Sequence, residues 1–320
     1  PNLKALAMSL CSLSRVAQPS RRAMSTLGRF SRSLRVATCN LKIRDSLDET
    51  VARASIALAK AAGAGADVLA LPECALPGYD AELIQAATPA ALRSAERSIR
   101  DACRAHGIGA VYGAPRDGYN EAVVVDGAGD VVARQPKLQL VPTDAPWTTR
   151  AGESQLVFRV GDVPCAVIIC HDKRYPELCR LPVLAGARVL FYISCETYHD
   201  DVALPAHDDW APERLDAELG VYRAQCQARA VENGVFVVKS NVAAGDRGSH
   251  GMSAIFGPTG VVIEEAGLAD ENVLVADLDL AEATALYAAK SVRDGYAHKA
   301  TWDGALGKVT VLPPGYKAPF

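Results

Sequence analysis

The chain has 320 residues, 49% of them apolar, and a formal net charge of -3. That length can bury a large core, as one large α/β domain or as two smaller ones, and the charge gives no general attraction to nucleic acid. No uninterrupted apolar run of about 18 residues marks a membrane span.

In chain order, residues 1–33 stand apart. Lys4, Arg15, Arg21, Arg22, Arg29 and Arg32 lie among many serines, and the first acid of the chain is Asp45. Such a leader reads either as a transit peptide for a mitochondrion or plastid, or as a disordered segment. From residue 34 onward strands and helices alternate. Residues 34–39 read as a strand, 46–62 as an amphipathic helix and 68–71 as a strand. Residues 89–106 read as a helix, with Thr88 placed to cap it and Pro89 at its first position. Strands follow at 108–112, 121–126 and 131–134, then a hairpin of 156–160 and 163–169 around Gly161-Asp162. A helix at 175–185, a strand at 189–193 and a long helix at 215–233 come next. Strands at 235–240, 253–256, 261–265 and 272–277, and a helix at 280–291, complete the body. In the tail, 301–320, only 309–312 is strand-like.

The cysteines include no Cys-x-x-Cys pair, and the histidines no close pair. This argues against a zinc ribbon, a thioredoxin-like centre or a two-histidine zinc site, and for a reducing compartment, the cytoplasm. No metal or cofactor is expected.

Three polar residues sit at the ends of apolar runs. Cys170 closes the run from Val163 and precedes His171-Asp172-Lys173-Arg174; Glu73 follows the run 67–72; Lys137 lies just past the strand that ends near Arg134. The carboxyl edge of an α/β sheet is where ligands bind. A thiol, a carboxylate and an ammonium there suit a nucleophile, a base and an oxyanion stabiliser. Singly, each has a plainer reading: a buried small hydrophobe for the cysteine, a solvated loop for the charges. Cys39, Cys74, Cys165, Cys179 and Cys195 read as buried thiols.

Leu71-Pro72-Glu73 with Pro77-Gly78-Tyr79, Arg134-Gln135-Pro136-Lys137-Leu138, and Ile169-Cys170-His171-Asp172-Lys173-Arg174-Tyr175-Pro176-Glu177 occur in this order. Arg229-Ala230-Val231-Glu232-Asn233 and the stretch 251–258 follow. On these five blocks the chain resembles the nitrilase superfamily, the carbon–nitrogen hydrolases. The resemblance implies an α/β fold, a four-layer α-β-β-α sandwich of two mixed sheets, as one domain over 34–300. It implies Cys170 as nucleophile, Glu73 as general base and acid, Lys137 as oxyanion stabiliser and the His171 backbone N–H as a second oxyanion donor. It also implies a homodimer or higher homo-oligomer, with the tail reaching toward a neighbour. Asp172, Arg174 and Glu177 read as an ionic support of the nucleophile turn.

The family has a second glutamate a few positions after the lysine. Here the stretch Val141-Pro142-Thr143-Asp144-Ala145-Pro146-Trp147 has none, and Asp144 is the nearest substitute; Glu153 comes after a turn. By the same resemblance Glu196, Tyr198 and His199 lie on the rim facing Cys170, with Glu196 suited to an amine, while Trp147 and Trp210 either wall the pocket or pack. The acid-rich stretch 200–213 would disfavour anionic substrates if it formed a lid, and is equally an ordinary solvated loop. The expected reaction is thiol-dependent cleavage of a small linear amide through a thioester. An N-carbamoyl amine or amino-acid hydrolase is the alternative. A nitrilase, which would carry Cys-Trp-Glu rather than Cys170-His171-Asp172, and a non-catalytic interaction protein stand behind these.

Overall fold

The structure, a computed structural model, describes residues 31–42, 46–196, 212–244, 249–293 and 304–318. The basic leader up to residue 30 lies outside the described residues, as do Tyr198, His199 and Trp210. The first half runs β1 (Ser33–Cys39), α1 (Leu47–Gly63), β2 (Val68–Ala70), α2 (Ala81–Ala86), α3 (Pro89–His106), β3 (Gly109–Arg116), β4 (Tyr119–Val125) and β5 (Val131–Pro136). The second half runs β6 (Gln155–Val160), β7 (Val163–Ile169), a 3-10 turn (Cys170–Arg174), α4 (Pro176–Leu184), β8 (Val189–Ile193), α5 (Pro212–Asn233), β9 (Phe236–Ser240), β10 (Ala254–Phe256), β11 (Val262–Glu265), β12 (Val273–Asp279), α6 (Leu286–Arg293) and β13 (Val309–Val311).

Among the described residues the strands form two mixed sheets. One has the order β12-β1-β2-β3-β4-β5, the other β11-β10-β9-β8-β7-β6-β13. Side chains alternate across a strand, so a strand covered on both faces must be apolar throughout. In β7, Val163, Cys165, Val167 and Ile169 enter the layer between the sheets, while Ala166 and Ile168 meet α4 and α5. In β2, Val68 and Ala70 face inward and Leu69 meets α1 and α3. Helices thus cover the outer face of each sheet, which gives the four layers.

Local signals set the helix starts. The Ser46 side chain accepts the Glu49 N–H at α1, and the Thr88 side chain accepts the Ala91 N–H at α3, which ends on Gly107 in the left-handed region. The short α2, capped by Asp80, was not foreseen; six residues are too few for a helical period to show. Helix α6 begins later than expected, because Leu280 and Ala283 turn into the layer between the sheets. In the tail, β13 pairs in parallel with β6, and Ala318 N–H donates to the Val131 carbonyl, so its described part covers an edge of the sheet.

The topology gathers chemistry at one edge. β1, β2 and β3 are parallel, and β4 runs antiparallel to both β3 and β5, so β2, β3 and β5 end on the same side. In the other sheet β7, β8 and β9 are parallel. A bridge between Leu41 and Val242 ties the two sheets just beyond the ends of β1 and β9. The layer between the sheets holds this register. Phe158 and Phe191 stack there with centroids 6.4 Å apart, and both are almost wholly buried. Phe191→Ala should lower stability by about 3–5 kcal/mol, read as a shift of the urea unfolding midpoint.

Candidate active site

Glu73 lies in the loop after β2, and β3 holds that loop. Leu71 N–H donates to the Val111 carbonyl, Gly113 N–H to that of Pro72, and Leu76 N–H to that of Gly113. A Cβ on Gly113 would stand 2.1 Å from the Cys74 nitrogen and 2.6 Å from the Glu73 Cα, so the absence of a side chain there lets the loop sit down. Lys137 follows β5, its N–H bonded to the Asn120 carbonyl and its carbonyl accepting from Gly152.

The two side chains meet in a dry site. Lys137 Nζ lies 2.9 Å from Glu73 Oε1 and 2.9 Å from Asp144 Oδ2, and none of the three side chains has any exposure. Burial alone would lower the Lys137 pKa. The carboxylates of Glu73 and Asp144, with Cys170, outweigh it and hold the ammonium well above its ordinary value. The carboxylates are satisfied in turn. Asn120 Nδ2 donates to Glu73 Oε1 at 2.7 Å and to Asp144 Oδ1 at 3.2 Å. Tyr79 donates its hydroxyl to Asp144 Oδ1, the Val141 N–H donates to Oδ2, and the Cys195 N–H donates to Glu73 Oε2.

Cys170 is the first residue of the 3-10 turn after β7 and is partly exposed, unlike the other cysteines of the described residues. Its φ of +46° lies in the left-handed region, a strained setting for a residue with a side chain. Asp172 fastens this turn to the Lys137 loop: its Oδ1 accepts the Gln139 N–H at 2.7 Å and its Oδ2 the Leu138 N–H at 3.3 Å. Burial pushes the Asp172 carboxyl up to about 7 in spite of those bonds. Arg229 Nε donates to the Lys173 carbonyl and steadies the turn from α5. Arg174 and Glu177 are exposed.

Of the residues picked from sequence, the structure brings Glu73, Lys137 and Asp144 into contact, with Asp172 as a link to the Cys170 turn. His171 follows Cys170, half-buried, with its ring edge-on to Tyr175 at 5.6 Å. Trp147 is one step removed, packed edge-on against Tyr79 at 5.9 Å. Glu196 departs from expectation. It is 2% exposed and faces inward to Lys173, Lys239 and Tyr192, because two buried ammonium groups claim its carboxylate. Asn120 and Tyr79 were not identified as site residues. Their only sequence signal is place: Asn120 begins an apolar strand, and Tyr79 ends the block that carries Glu73. Among the described residues no group of three or more His, Cys, Asp or Glu could hold a metal ion, and no helix is long and apolar enough to cross a membrane.

A partly exposed thiol within electrostatic reach of an ammonium shared by two buried carboxylates suits acyl transfer through a covalent intermediate. The bond broken follows from kinship. Carbon-nitrogen hydrolase, as a family, matches residues 35–288, and the chain belongs to it. The 2-oxoglutaramate amidase of Bacillus subtilis (strain 168) is 31% identical over 225 residues, spanning 68% of this chain and 80% of the relative. Omega-amidase NIT2 of Homo sapiens is 26% identical over 264 residues, spanning 78% and 89%. A cysteine-to-alanine variant of the Nesterenkonia AN1 amidase, from the nitrilase superfamily, superposes with a TM-score of 0.69 at 24% identity, over 82% of this chain and 95% of that one, and so shares its fold. The resemblance read from the five blocks is borne out, and with it the two-sheet fold and the class of enzyme, a carbon–nitrogen hydrolase.

If Asp144 fixes Lys137, removing its charge should be felt in turnover. Asp144→Asn turns an amide toward the ammonium and should lower kcat by about a hundredfold in steady-state ammonia release. A change within about twofold, the range of an ordinary surface substitution, would separate Asp144 from the reaction.

Proposed function

We propose that this enzyme hydrolyses the terminal carboxamide of a small linear amide, with Cys170 as nucleophile, Glu73 as base and acid, and Lys137 with the His171 N–H as oxyanion donors. The observation that carries the reading is Lys137 Nζ, 2.9 Å from each of two fully buried carboxylates and within electrostatic reach of the partly exposed Cys170 thiol. The raised Lys137 pKa supports the division of roles: it stays a fixed positive charge and is not the proton carrier. Glu73 is left to move protons.

The steps balance as follows. The Cys170 thiol gives its proton to Glu73, and sulfur attacks the amide carbon. The tetrahedral oxyanion forms against Lys137 Nζ and the His171 N–H. Glu73 returns the proton to nitrogen, the C–N bond breaks and ammonia leaves a thioester. Water, deprotonated by Glu73, attacks the thioester and releases the acid. The proton then returns to the Cys170 sulfur.

The relatives support a short substrate, since one is named for 2-oxoglutaramate and several as omega-amidases. A structural neighbour at 23% identity carries the acetamide moiety of fluoroacetamide on its active-site cysteine, which supports a covalent adduct at the equivalent thiol here. Free cysteines throughout the described residues support a reducing compartment such as the cytoplasm. Association of subunits into a homo-oligomer is part of the same proposal.

Ammonia release is to be measured from 2-oxoglutaramate, simple aliphatic amides, N-carbamoyl amino acids and nitriles. Amides should be the best substrates; preference for the carbamoyl compounds would move the reading to that alternative. Cys170→Ser should keep the fold and nearly abolish turnover, because an alkoxide is far harder to generate than a thiolate. Intact mass of the wild type with a slow amide should show an acyl adduct on Cys170. Full turnover by the serine variant without an adduct in the wild type would sink the assignment.

A further inference from the structure

A second buried charged cluster adjoins the site, and the reaction as described leaves it unused. Glu196, in the segment that leaves β8, sits between two lysines. Lys173 Nζ pairs with its Oε1, and Lys239 Nζ lies 3.0 Å from its Oε2. Tyr192 donates its hydroxyl to Oε1 at 2.6 Å. Exposures are 2% for Lys173, 2% for Glu196 and 1% for Lys239. The Lys173 ammonium also lies over the rings of Tyr192, at 4.8 Å, and Tyr222, at 4.9 Å. His250 Nε2 is 3.7 Å from Glu196 Oε2.

Stability alone is a poor reason for this cluster. Each ion taken from water costs several kcal/mol, and well-packed apolar side chains of the same volume often serve as well or better. Its connections suggest another reason. Lys173 is the fourth residue of the turn that begins with Cys170. Glu196 directly follows Cys195, whose N–H holds Glu73 Oε2 at 3.1 Å. The Glu196 N–H is itself fixed by Asn241 Oδ1 at 2.9 Å. One ion pair therefore ties the nucleophile turn to the segment that holds the base.

The charges are complementary too. Glu73 and Asp144 against Lys137 leave the catalytic group one negative charge in excess, a setting that opposes a thiolate. Lys173 and Lys239 against Glu196 leave one positive charge in excess. Burial, then Lys239, lowers the His250 pKa to about 3, so that ring adds no charge at neutral pH. Asp172, raised to about 7, adds only part of a negative charge there. Arg229, the nearby guanidinium on α5, is paired with Glu232 at 3.0 Å. Tyr192 lies within electrostatic reach of both Glu196 and Cys170, which spans the gap between the two groups.

We propose that Lys173, Glu196 and Lys239 are positioning residues that hold the Cys170 turn against the Glu73 segment and supply the positive charge a thiolate needs beside a net-negative catalytic group. The proposal rests on Cys170 being the nucleophile. Its two parts separate by substitution. Lys173→Met removes both tether and charge, whereas Lys239→Met removes charge and leaves the Lys173–Glu196 pair in place. Lys173→Arg keeps the charge.

The test is alkylation of Cys170 by iodoacetamide as a function of pH, with the site read by peptide mass, beside kcat and KM for an amide that the wild type accepts. Folding is checked by circular dichroism and urea midpoints. Both methionine variants should move the alkylation midpoint upward by about one pH unit. Lys173→Met should in addition lower kcat by about tenfold or more with little change in KM. Lys173→Arg should restore most of the alkylation profile. Folded methionine variants with a wild-type midpoint and kcat would overturn the proposal. So would failure of both to fold, since the cluster would then serve stability alone. If one methionine variant fails to fold, the midpoint of the other decides. An inactive Cys170→Ser with unaltered lysine variants would refute this proposal and leave the nucleophile standing; an active Cys170→Ser would remove both.

Discussion

The site depends on one ammonium shared by two carboxylates out of contact with water. Lys137 Nζ is 2.9 Å from each, and none of the three side chains is exposed. A buried ion costs several kcal/mol to desolvate, and removing one partner from such a group typically costs about 3–5 kcal/mol because the others are left uncompensated. The group stands only if its remaining hydrogen-bonding capacity is met. That requirement explains Asn120 shared between the two carboxylates, the Tyr79 hydroxyl and Val141 N–H on Asp144, and the Cys195 N–H on Glu73. It also fixes geometry, since each group is held from several directions.

The two sheets meet that requirement by ending together. Glu73 follows β2, Lys137 follows β5 and Asn120 lies at the start of the antiparallel β4, so all three reach one edge of one sheet. Cys170 and Cys195 follow β7 and β8 at the edge of the other. Neither sheet carries the whole site. The layer between them, with Phe158 stacked on Phe191, sets how the halves face each other. Gly113 is the narrowest point of the arrangement, because any side chain there would displace the backbone of Glu73 and Cys74.

Much of this was legible in the chain and some was not. Unbroken apolar runs ending in polar residues marked the buried strands, and the ends of those strands marked Glu73, Lys137 and Cys170. Asp144 was reached only through a departure from a family pattern. Asn120 and Tyr79 carry no local signal of their role, since their partners lie 47 and 65 residues away along the chain. Glu196 was placed on the rim by the family resemblance, which carries no information on charges buried beneath it. The lysines that draw it inward are distant in sequence or, for Lys173, hidden in a polar run. Lys239 did carry a sign, a charge closing the otherwise apolar Phe236-Val237-Val238. Such a residue in a strand covered on both faces requires a buried partner.

On the proposal that Asp144 stands in for the family's second glutamate, the backbone around it accounts for the shorter side chain. A side chain one methylene shorter than glutamate must have its backbone nearer the lysine. The segment 141–148 forms a closed turn around Asp144: its N–H donates to the Val141 carbonyl, its carbonyl accepts from the Thr148 N–H and hydroxyl, and its Oδ2 accepts from the Val141 N–H. The turn brings the carboxylate to 2.9 Å from Lys137, with neither side chain exposed. A glutamate in that turn would bring an extra methylene into a space already closed by Tyr79, Asn120 and Lys137. The shorter acid and the tight turn therefore depend on each other, and the longer side chain would need a looser turn.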